Sequence, residues 1–195
     1  MSTVQKNILA CYNGIHIRVF DNKKDDIEQL TQVLNKSYKK LADLGFNYLA
    51  SHQDSSITLE RINKALCLVA IRNNKIIGSI SYYSPEKNKG CNWYNKDNVA
   101  TIGQFGIHPS YQSMGIGRKL IELVEELAIK EGIEELALDT AEGAGHLIKY
   151  YGDKGYRFIE YINWEITNYR SVVLSKKLIK VTTDNKDYVN RMSLS

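Results

Sequence analysis

Residues 99–118, VATIGQFGIHPSYQSMGIGR, carry the strongest structural signal in this sequence. The first nine residues predict a strand that ends at Ile107, because Pro109 prevents its continuation. Gly115 and Gly117 then allow a tight turn that leads into a long helix. The first N–H groups of a helix have no intrahelical partners and lie at its positive end. The stretch therefore predicts a strand, a glycine turn and a helix start that can bind a phosphate or pyrophosphate.

Two better-known phosphate-binding motifs do not fit this turn. A Walker A loop requires GxxxxGK[ST], which the residues GIGRKL do not supply. A dinucleotide-binding fingerprint requires a third glycine where this chain has Leu120. The isolated motif is also compatible with two glycines that only make a tight turn before a helix. The order of the surrounding elements has to decide between these interpretations.

The periodicity of apolar residues on both sides of the motif predicts the order β-α-α-β-β-β-α-β-α-β-β. The predicted strands are residues 15–20, 66–72, 76–84, 99–107, 134–140, 156–163 and 169–178. The predicted helices are residues 25–40, 55–62, 116–131 and 144–154. One strand–helix–strand unit implies a parallel pair, and hairpins imply antiparallel pairing elsewhere. The predicted fold class is therefore α/β (α+β), with a mixed, mostly antiparallel sheet and helices on both faces.

Length and composition exclude several classes of protein. The 195 residues, 43% hydrophobic and 25% charged, fit one domain and are too apolar for a fully disordered chain. The longest apolar run, residues 65–71, is far shorter than the roughly 20 residues of a membrane span. The first residues also lack a signal-peptide pattern. The net charge of +4 comes mostly from residues 176–195, so no basic face for nucleic acid is indicated.

The three cysteines, Cys11, Cys67 and Cys91, have neither an even count nor CxxC spacing. We therefore expect no metal site and no disulfide framework. Together with the composition, this pattern predicts a cytoplasmic protein that binds neither nucleic acid nor a membrane.

The residues QSMGIG at positions 112–117 fit the pattern Q/R-x-x-G-x-G/A of the GCN5-related N-acetyltransferase (GNAT) family, between the same strand and helix. Tyr151 precedes Gly155-Tyr156 by four residues, a spacing that the last helix of family members often has. The chain resembles this family over about residues 15–178, and in particular its bacterial members of uncertain substrate. Residues 1–14 would then be an N-terminal extension and residues 179–195 a C-terminal tail. The resemblance implies a central parallel strand pair that splays apart, with acetyl-CoA entering between the two strands as acyl donor.

The same resemblance implies a role for each residue along that gap. Backbone groups of Gly106 and Ile107 would bind the pantetheine, and the Ile107 N–H would polarise the thioester carbonyl. Tyr151 would protonate the departing CoA thiolate, and its spacing favours it over Tyr150. The pyrophosphate would be bound by the turn residues Gln112, Ser113, Met114, Gly115, Ile116, Gly117 and Arg118.

The sequence leaves the general base and the acceptor site open. Histone-modifying members have a glutamate eleven residues before the glutamine of the motif, where this chain has Thr101. Ala144 replaces an asparagine that contacts CoA in many members. A water chain to solvent is one alternative for the base, and the side-chain candidates are Glu60, His108, Asp139, Glu142 and His146. Four aromatic residues are candidates for an acceptor wall or for ordinary packing: Tyr82, Tyr83, Trp93 and Tyr94.

The residues and the resemblance together predict an acetyl-CoA-dependent N-acetyltransferase acting on a primary amine of a small molecule or peptide. No cysteine lies near the motif, which favours direct attack by the amine over a covalent acyl-enzyme. One alternative is a non-catalytic acyl-CoA-binding or regulatory module on the same fold, which would not depend on Tyr151. Another is a transferase that uses a longer acyl-CoA. No metal is expected, and a homodimer is compatible with the sequence.

Overall fold

An eight-stranded mixed sheet, in the order β1-β2-β3-β4-β5-β6-β8-β7, forms the centre of the computed structural model. The structure describes residues 8–87 and 90–179. The strands are β1 (Ile8–Tyr12), β2 (Ile15–Val19), β3 (Leu66–Arg72), β4 (Lys75–Tyr83), β5 (Val99–Ile107), β6 (Glu135–Ala141), β7 (Arg157–Asn163) and β8 (Arg170–Lys177). The helices are α1 (Ile27–Asp43), α2 (Ser55–Asn63), α3 (Ile116–Lys130) and α4 (Gly145–Gly152).

The central strands β5 and β6 run parallel, as the connection through α3 requires, and the other neighbouring strands of the described sheet are antiparallel. The β5–β6 pairing ends at Thr101 and Ala137, although β5 continues to Ile107 and β6 to Ala141. The carboxyl-terminal halves of the two strands therefore diverge. The structure confirms the predicted mixed sheet with a splayed central pair, and we call the opening the β5–β6 gap.

The alternation of side chains along β3 shows how the helices are distributed. Leu68 and Ala70 pack in the core that includes residues of α3, whereas Cys67 and Val69 pack in the core that includes residues of α1. Successive residues of a strand point to opposite faces of the sheet. Helices α3 and α1 therefore cover opposite faces, as the sequence predicted. None of the described helices is long and apolar enough to cross a membrane.

The three longest helices begin in two different ways. Asp26 caps α1 by accepting a hydrogen bond from the Glu28 N–H, and Asp54 caps α2 by accepting one from the Ile57 N–H. Helix α3 has Gly115 at its cap position, in the left-handed conformation and with no side-chain cap. The amino-terminal N–H groups of α3 are thus left for another partner.

The first strand lies within the segment 1–14, which the sequence pattern set apart as an extension. Asn13 and Gly14, both with positive φ, form the turn that pairs β1 with β2. Residues 8–12 are thus the edge strand of the sheet rather than a separate segment. Most of the predicted tail, from residue 180 onward, lies outside the described residues.

Candidate active site

A cavity of about 640 Å³ follows the β5–β6 gap between α1, α3 and α4. It extends from the start of α3 to the far ends of β5 and β6, and Tyr151 lies along it. The side chain of Met114 is outside the cavity lining and 37% exposed. The other residues that the sequence singled out for acetyl-CoA do line it: Gly106, Ile107, Gln112, Ser113, Gly115, Ile116, Gly117 and Arg118.

Residues 112–118, here called the phosphate turn, need glycine at two positions for different reasons. Gly115 has a φ of +80°, and a Cβ there would lie 2.5 Å from the Tyr12 hydroxyl. At Gly117 a Cβ would lie 3.1 Å from the Phe105 ring and 3.4 Å from the Tyr150 hydroxyl. The first requirement is one of backbone conformation and the second is one of space. At both positions the turn lies close to neighbouring aromatic side chains.

The hydrogen bonds around the turn leave several amides free. The Lys119 N–H donates to the Gly115 carbonyl at 3.1 Å, which is the first backbone bond of α3. Within the described residues, the amides of Ile116, Gly117 and Arg118 therefore precede the helical ladder and have no acceptor. Free amides at the positive end of a helix bind anions.

Positive charge lies at the same end of the cavity. The Lys154 ammonium is 4.0 Å from the centre of the Tyr150 ring, and both side chains line the cavity. Arg118 also lines it and forms an exposed ion pair with Glu122 at 3.4 Å. A narrow gap with free amides and cations at one end fits an elongated phosphorylated ligand such as acetyl-CoA.

The side chain of Gln112 forms a hydrogen bond that connects two parts of the site. Its Nε2 donates to the Ile107 carbonyl oxygen at 3.1 Å, and its own N–H donates to the Pro109 carbonyl at 3.3 Å. The side chain therefore ties the phosphate turn to the end of β5. The backbone N–H of Gln112 is therefore not free to bind a ligand.

Tyr151 packs in the core and also lines the cavity. The side chain is 8% exposed, and its ring packs edge-on against Tyr150 and Tyr156 at 5.3 and 5.7 Å. Among the described residues its hydroxyl has no hydrogen-bond partner, and burial raises its pKa well above the ordinary value. The phenol is therefore protonated at neutral pH and free to donate a proton. The Tyr150 hydroxyl instead lies near Gly117, at the phosphate turn.

At the opposite end from the phosphate turn, the cavity has an aromatic wall. Tyr38 of α1 and Tyr48 line it, with ring centres 5.4 Å apart, and Tyr169 packs behind Tyr48 at 4.8 Å. The Tyr48 hydroxyl is 2.8 Å from the Thr140 hydroxyl and accepts from the Ala141 N–H at 2.7 Å. We call this region, with Asp139, the acceptor end.

Asp139 supplies the negative charge of the acceptor end. One carboxylate oxygen accepts from the Tyr94 hydroxyl at 3.1 Å, and the other accepts from the Trp164 indole N–H at 2.9 Å. Among the described residues no cation pairs with this carboxylate. Burial raises the pKa of Tyr38, Tyr94 and Tyr169, and the Asp139 charge raises these pKa values further. An unpaired carboxylate among tyrosines is suited to bind an ammonium group.

The other base candidates lie in different surroundings. His146 lines the cavity, but Glu60 pairs with Lys64 and Glu142 pairs with Arg170, each at 2.6 Å on the surface. The His108 Nδ1 accepts from the Ser110 N–H at 3.3 Å and caps a short 3-10 turn. The structure thus brings two of the five candidates, Asp139 and His146, to the cavity.

The aromatic residues singled out from the sequence do not line the cavity. The Tyr82 hydroxyl donates to Glu131, at the carboxyl end of α3, and Trp93 packs under Lys96. Tyr94 reaches the acceptor end only through its bond to Asp139. The described residues contain no group of three or more side chains that could hold a metal ion.

Comparisons with known proteins find a family model and curated relatives that match this chain. Residues 27–156 match the family model described as "Acetyltransferase (GNAT) family". A Bacillus subtilis (strain 168) S-(2-succino)cysteine N-acetyltransferase is 29% identical over 136 residues, which cover 67% of this chain and 78% of that protein. An S-alkylcysteine N-acetyltransferase of the same organism is 23% identical over 161 residues, which cover 80% of this chain and 85% of that protein.

The fold itself recurs in solved structures. The PaiA N-acetyltransferase of Thermoplasma acidophilum, solved in complex with coenzyme A, superposes with a TM-score of 0.63 at 20% identity. The superposition covers 84% of this chain and 98% of that chain. At that level of identity the likeness concerns the fold.

Proposed function

This chain belongs to the GNAT family of acetyltransferases, and from that premise we propose that it transfers the acetyl group of acetyl-CoA to the α-amine of an S-substituted cysteine. The observation that carries the proposal is one cavity that joins the phosphate turn, the β5–β6 gap, Tyr151 and Asp139. The substrate class follows the two Bacillus subtilis relatives, which act on S-(2-succino)cysteine and S-alkylcysteine.

The phosphate turn and the end of β5 would hold the donor. The free amides of α3 would bind the pyrophosphate, and Arg118 and Lys154 would add positive charge at that end. Gly106 and Ile107 would bind the pantetheine through their backbone groups. The Ile107 N–H would donate to the thioester oxygen, where negative charge develops during attack by the amine. Acetyl-CoA, when bound, supplies the activated acyl group.

Asp139 would bind and orient the acceptor. An ammonium group entering the acceptor end would pair with its carboxylate, and the Tyr38 and Tyr48 rings would add cation–π attraction. The amine attacks only after it has lost a proton, and Asp139 would accept that proton directly or through water. The Tyr94 and Trp164 bonds would keep the carboxylate fixed throughout.

Tyr151 would complete the proton transfers. As the carbon–sulfur bond breaks, the CoA sulfur gains negative charge and takes a proton from the phenol. The raised pKa keeps the phenol protonated beforehand, and the ring packing fixes its position. The reaction needs no cysteine nucleophile. Cys11, Cys67 and Cys91 are free thiols, which supports a cytoplasmic location as part of this proposal.

The test is an acceptor panel assayed for release of CoA thiol. S-Methylcysteine and S-(2-succino)cysteine should be acetylated with kcat/KM well above that of a polyamine or a peptide N-terminus. The same assay with acetyl-, propionyl- and butyryl-CoA compares acyl chain lengths. Binding of acetyl-CoA without thiol release for any amine would favour the alternative of a non-catalytic acyl-CoA-binding module.

A further inference from the structure

Arg61, near the carboxyl end of α2, is a partly buried cation without an anionic partner. Its Nη1 donates to the Gln53 side-chain oxygen at 2.7 Å, and Arg61 forms none of the ion pairs among the described residues. A guanidinium has five N–H donors in a fixed planar fork. The protein therefore leaves most of the donors of Arg61 available for an anion.

A buried amide network fixes the position of Arg61. Gln53 is 1% exposed, and its Nε2 donates to the Gln104 side-chain oxygen at 2.9 Å and to the Thr58 hydroxyl at 2.7 Å. The network therefore runs from Arg61 through Gln53 to Gln104 on β5. An arginine held in this way loses little conformational entropy when it binds a ligand.

Gln104 is outside the cavity lining but directly precedes two residues that line it. It lies at the bulge of β5 with a φ of +44°, directly before Phe105 and Gly106, which line the cavity. Gln104 is 2% exposed, and its Nε2 has no hydrogen-bond partner among the described residues. A buried unpaired donor is costly, so an acceptor at this place would stabilise it.

Arg61 and Asp139 belong to opposite sides of the gap. An Arg61 Nη2 atom lies 4.0 Å from the position of a Gly103 Cβ on β5, whereas Asp139 is a residue of β6. Both charges act on the Tyr38 hydroxyl at the acceptor end: Arg61 lowers the pKa of that phenol and Asp139 raises it, within a larger increase from burial. Asp139 lines the acceptor end from β6, whereas Arg61 lies just outside the cavity lining on the β5 side.

We propose that Arg61, positioned by Gln53 and Gln104, binds the α-carboxylate of the acceptor while Asp139 binds its α-ammonium group. This inference rests on the proposed function and adds the residues that would select an amino acid over a simple amine. The Gln104 Nε2 would donate a second hydrogen bond to the same carboxylate. Opposite charges on the two sides of the gap match the two charged groups of an α-amino acid.

The experiment compares S-methylcysteine with 2-(methylthio)ethylamine, which lacks only the carboxylate. Calorimetry would measure the affinity of each for the protein saturated with CoA, so the readout does not depend on turnover. The protein should bind the amino acid roughly 10- to 100-fold more tightly than the amine, the usual worth of a hydrogen-bonded charge. Arg61→Met should remove this preference by weakening amino acid binding alone.

Two further variants complete the design. Lys64→Met removes an exposed cation three residues along the same helix end, which pairs with Glu60, and should leave both affinities unchanged. Arg61→Lys keeps the charge but not the planar fork, so it should retain part of the preference. If Arg61→Met fails to fold, Arg61→Lys and the comparison of the two ligands on the unmodified protein still test the inference.

Equal affinity for the two ligands, or an equal loss for both in Arg61→Met, would overturn the inference. Absence of binding of the amino acid at millimolar concentration would overturn it as well. Failure of the proposed function has a different result: the amino acid binds with the expected preference, but no CoA thiol is released when acetyl-CoA is supplied.

Discussion

The side-chain amide of Gln112 donates a hydrogen bond to the carbonyl oxygen of Ile107 across a distance of 3.1 Å. This bond joins the turn that would bind the pyrophosphate to the strand that would bind the pantetheine. The two halves of one ligand would therefore be held by parts of the chain whose separation is fixed. The glutamine of the motif has a positioning role that its place in the pattern alone did not reveal.

Gln112→Ala should weaken the binding of acetyl-CoA by roughly 2- to 10-fold, because one neutral hydrogen bond is worth about 0.5–1.5 kcal/mol. Calorimetric titration with CoA would measure the change. Gln32→Ala, on the exposed side of α1, is the matched control and should bind CoA normally. Unaltered affinity in Gln112→Ala would mean that the turn keeps its place without this bond.

Acetyl-CoA at 100 times its Kd should stabilise the protein by about 2.7 kcal/mol. The corresponding increase in Tm is roughly 5–10 °C for a chain of this size. Gly117→Val should abolish the increase, because a Cβ there would stand 3.1 Å from the Phe105 ring and crowd the free amides. Thermal melts with and without ligand would measure both effects. Gly152→Ala, where a Cβ meets nothing within 4 Å, should keep the full increase.

Tyr151→Phe should lower kcat by about 10²- to 10⁴-fold, the usual contribution of a general acid. The KM for acetyl-CoA should change little, because the lost interaction forms mainly in the transition state. Tyr150→Phe is the informative comparison: its hydroxyl lies at the phosphate turn, so its loss should affect acetyl-CoA affinity more than kcat. Wild-type kcat in Tyr151→Phe, with chemistry rate-limiting, would assign the proton transfer to water.

Asp139→Asn should raise the KM for the acceptor and lower kcat, because the ammonium group loses its counter-charge and the amine its proton acceptor. The Kd for acetyl-CoA should stay the same, since the phosphate turn is at the other end of the cavity. The negative charge of Asp139 raises the pKa of Tyr94, so the substitution should also lower that pKa. Steady-state kinetics and spectrophotometric titration of the tyrosines would test these three outcomes. Unchanged acceptor kinetics would show that the ammonium group of the acceptor does not bind at Asp139.

Because of its buried tyrosines, we expect the free energy of unfolding of this protein to fall at alkaline pH. Burial raises the folded-state pKa of Tyr94, Tyr151 and Tyr156 well above the value of about 10 in the unfolded chain. The unfolded chain therefore loses these protons first, so stability is full below pH 10 and falls as the pH rises above it. Each tyrosine should contribute roughly 1.4 kcal/mol per pH unit.

Urea unfolding between pH 9 and 11.5 would measure this slope. Tyr151→Phe should reduce the slope by about the share of one tyrosine, independently of any catalytic effect. A free energy of unfolding that does not change across this range would show that the phenols ionise alike in both states.

The elements around the motif could be predicted closely because each depends on local periodicity. Helix α3 was expected at residues 116–131 and is found at Ile116–Lys130, and β5 has the expected bounds. Strand β1 was missed, although Asn13-Gly14 between two apolar segments is a hairpin signal. The segment before that turn is short, and its residues ILACY are all apolar, so the sequence shows no alternation even though half-buried and exposed positions alternate in the structure.

The acceptor end could not be predicted, because its residues come from separate elements. Tyr38, Tyr48 and Tyr169 meet only when the end of α1 packs against the end of β6, and no spacing in the sequence records that contact. Tyr82 was a candidate from its place in an aromatic strand. Its side chain points to the α3 face because neighbours in a strand alternate. Asp139 is one of five candidate bases in the sequence, and only the folded structure brings it and His146 to the cavity.

The β1–β2 hairpin places Tyr12 against Gly115, so the phosphate turn has a neighbour from the very start of the chain. A shortened version that began at residue 15 would lose more than an extension. Strand β2 would become the edge of the sheet, with a row of unpaired backbone groups open to association between molecules. The phosphate turn would lose the ring beside it at the same time. A truncation that removes β1 would therefore alter the end of the cavity where the donor is proposed to bind.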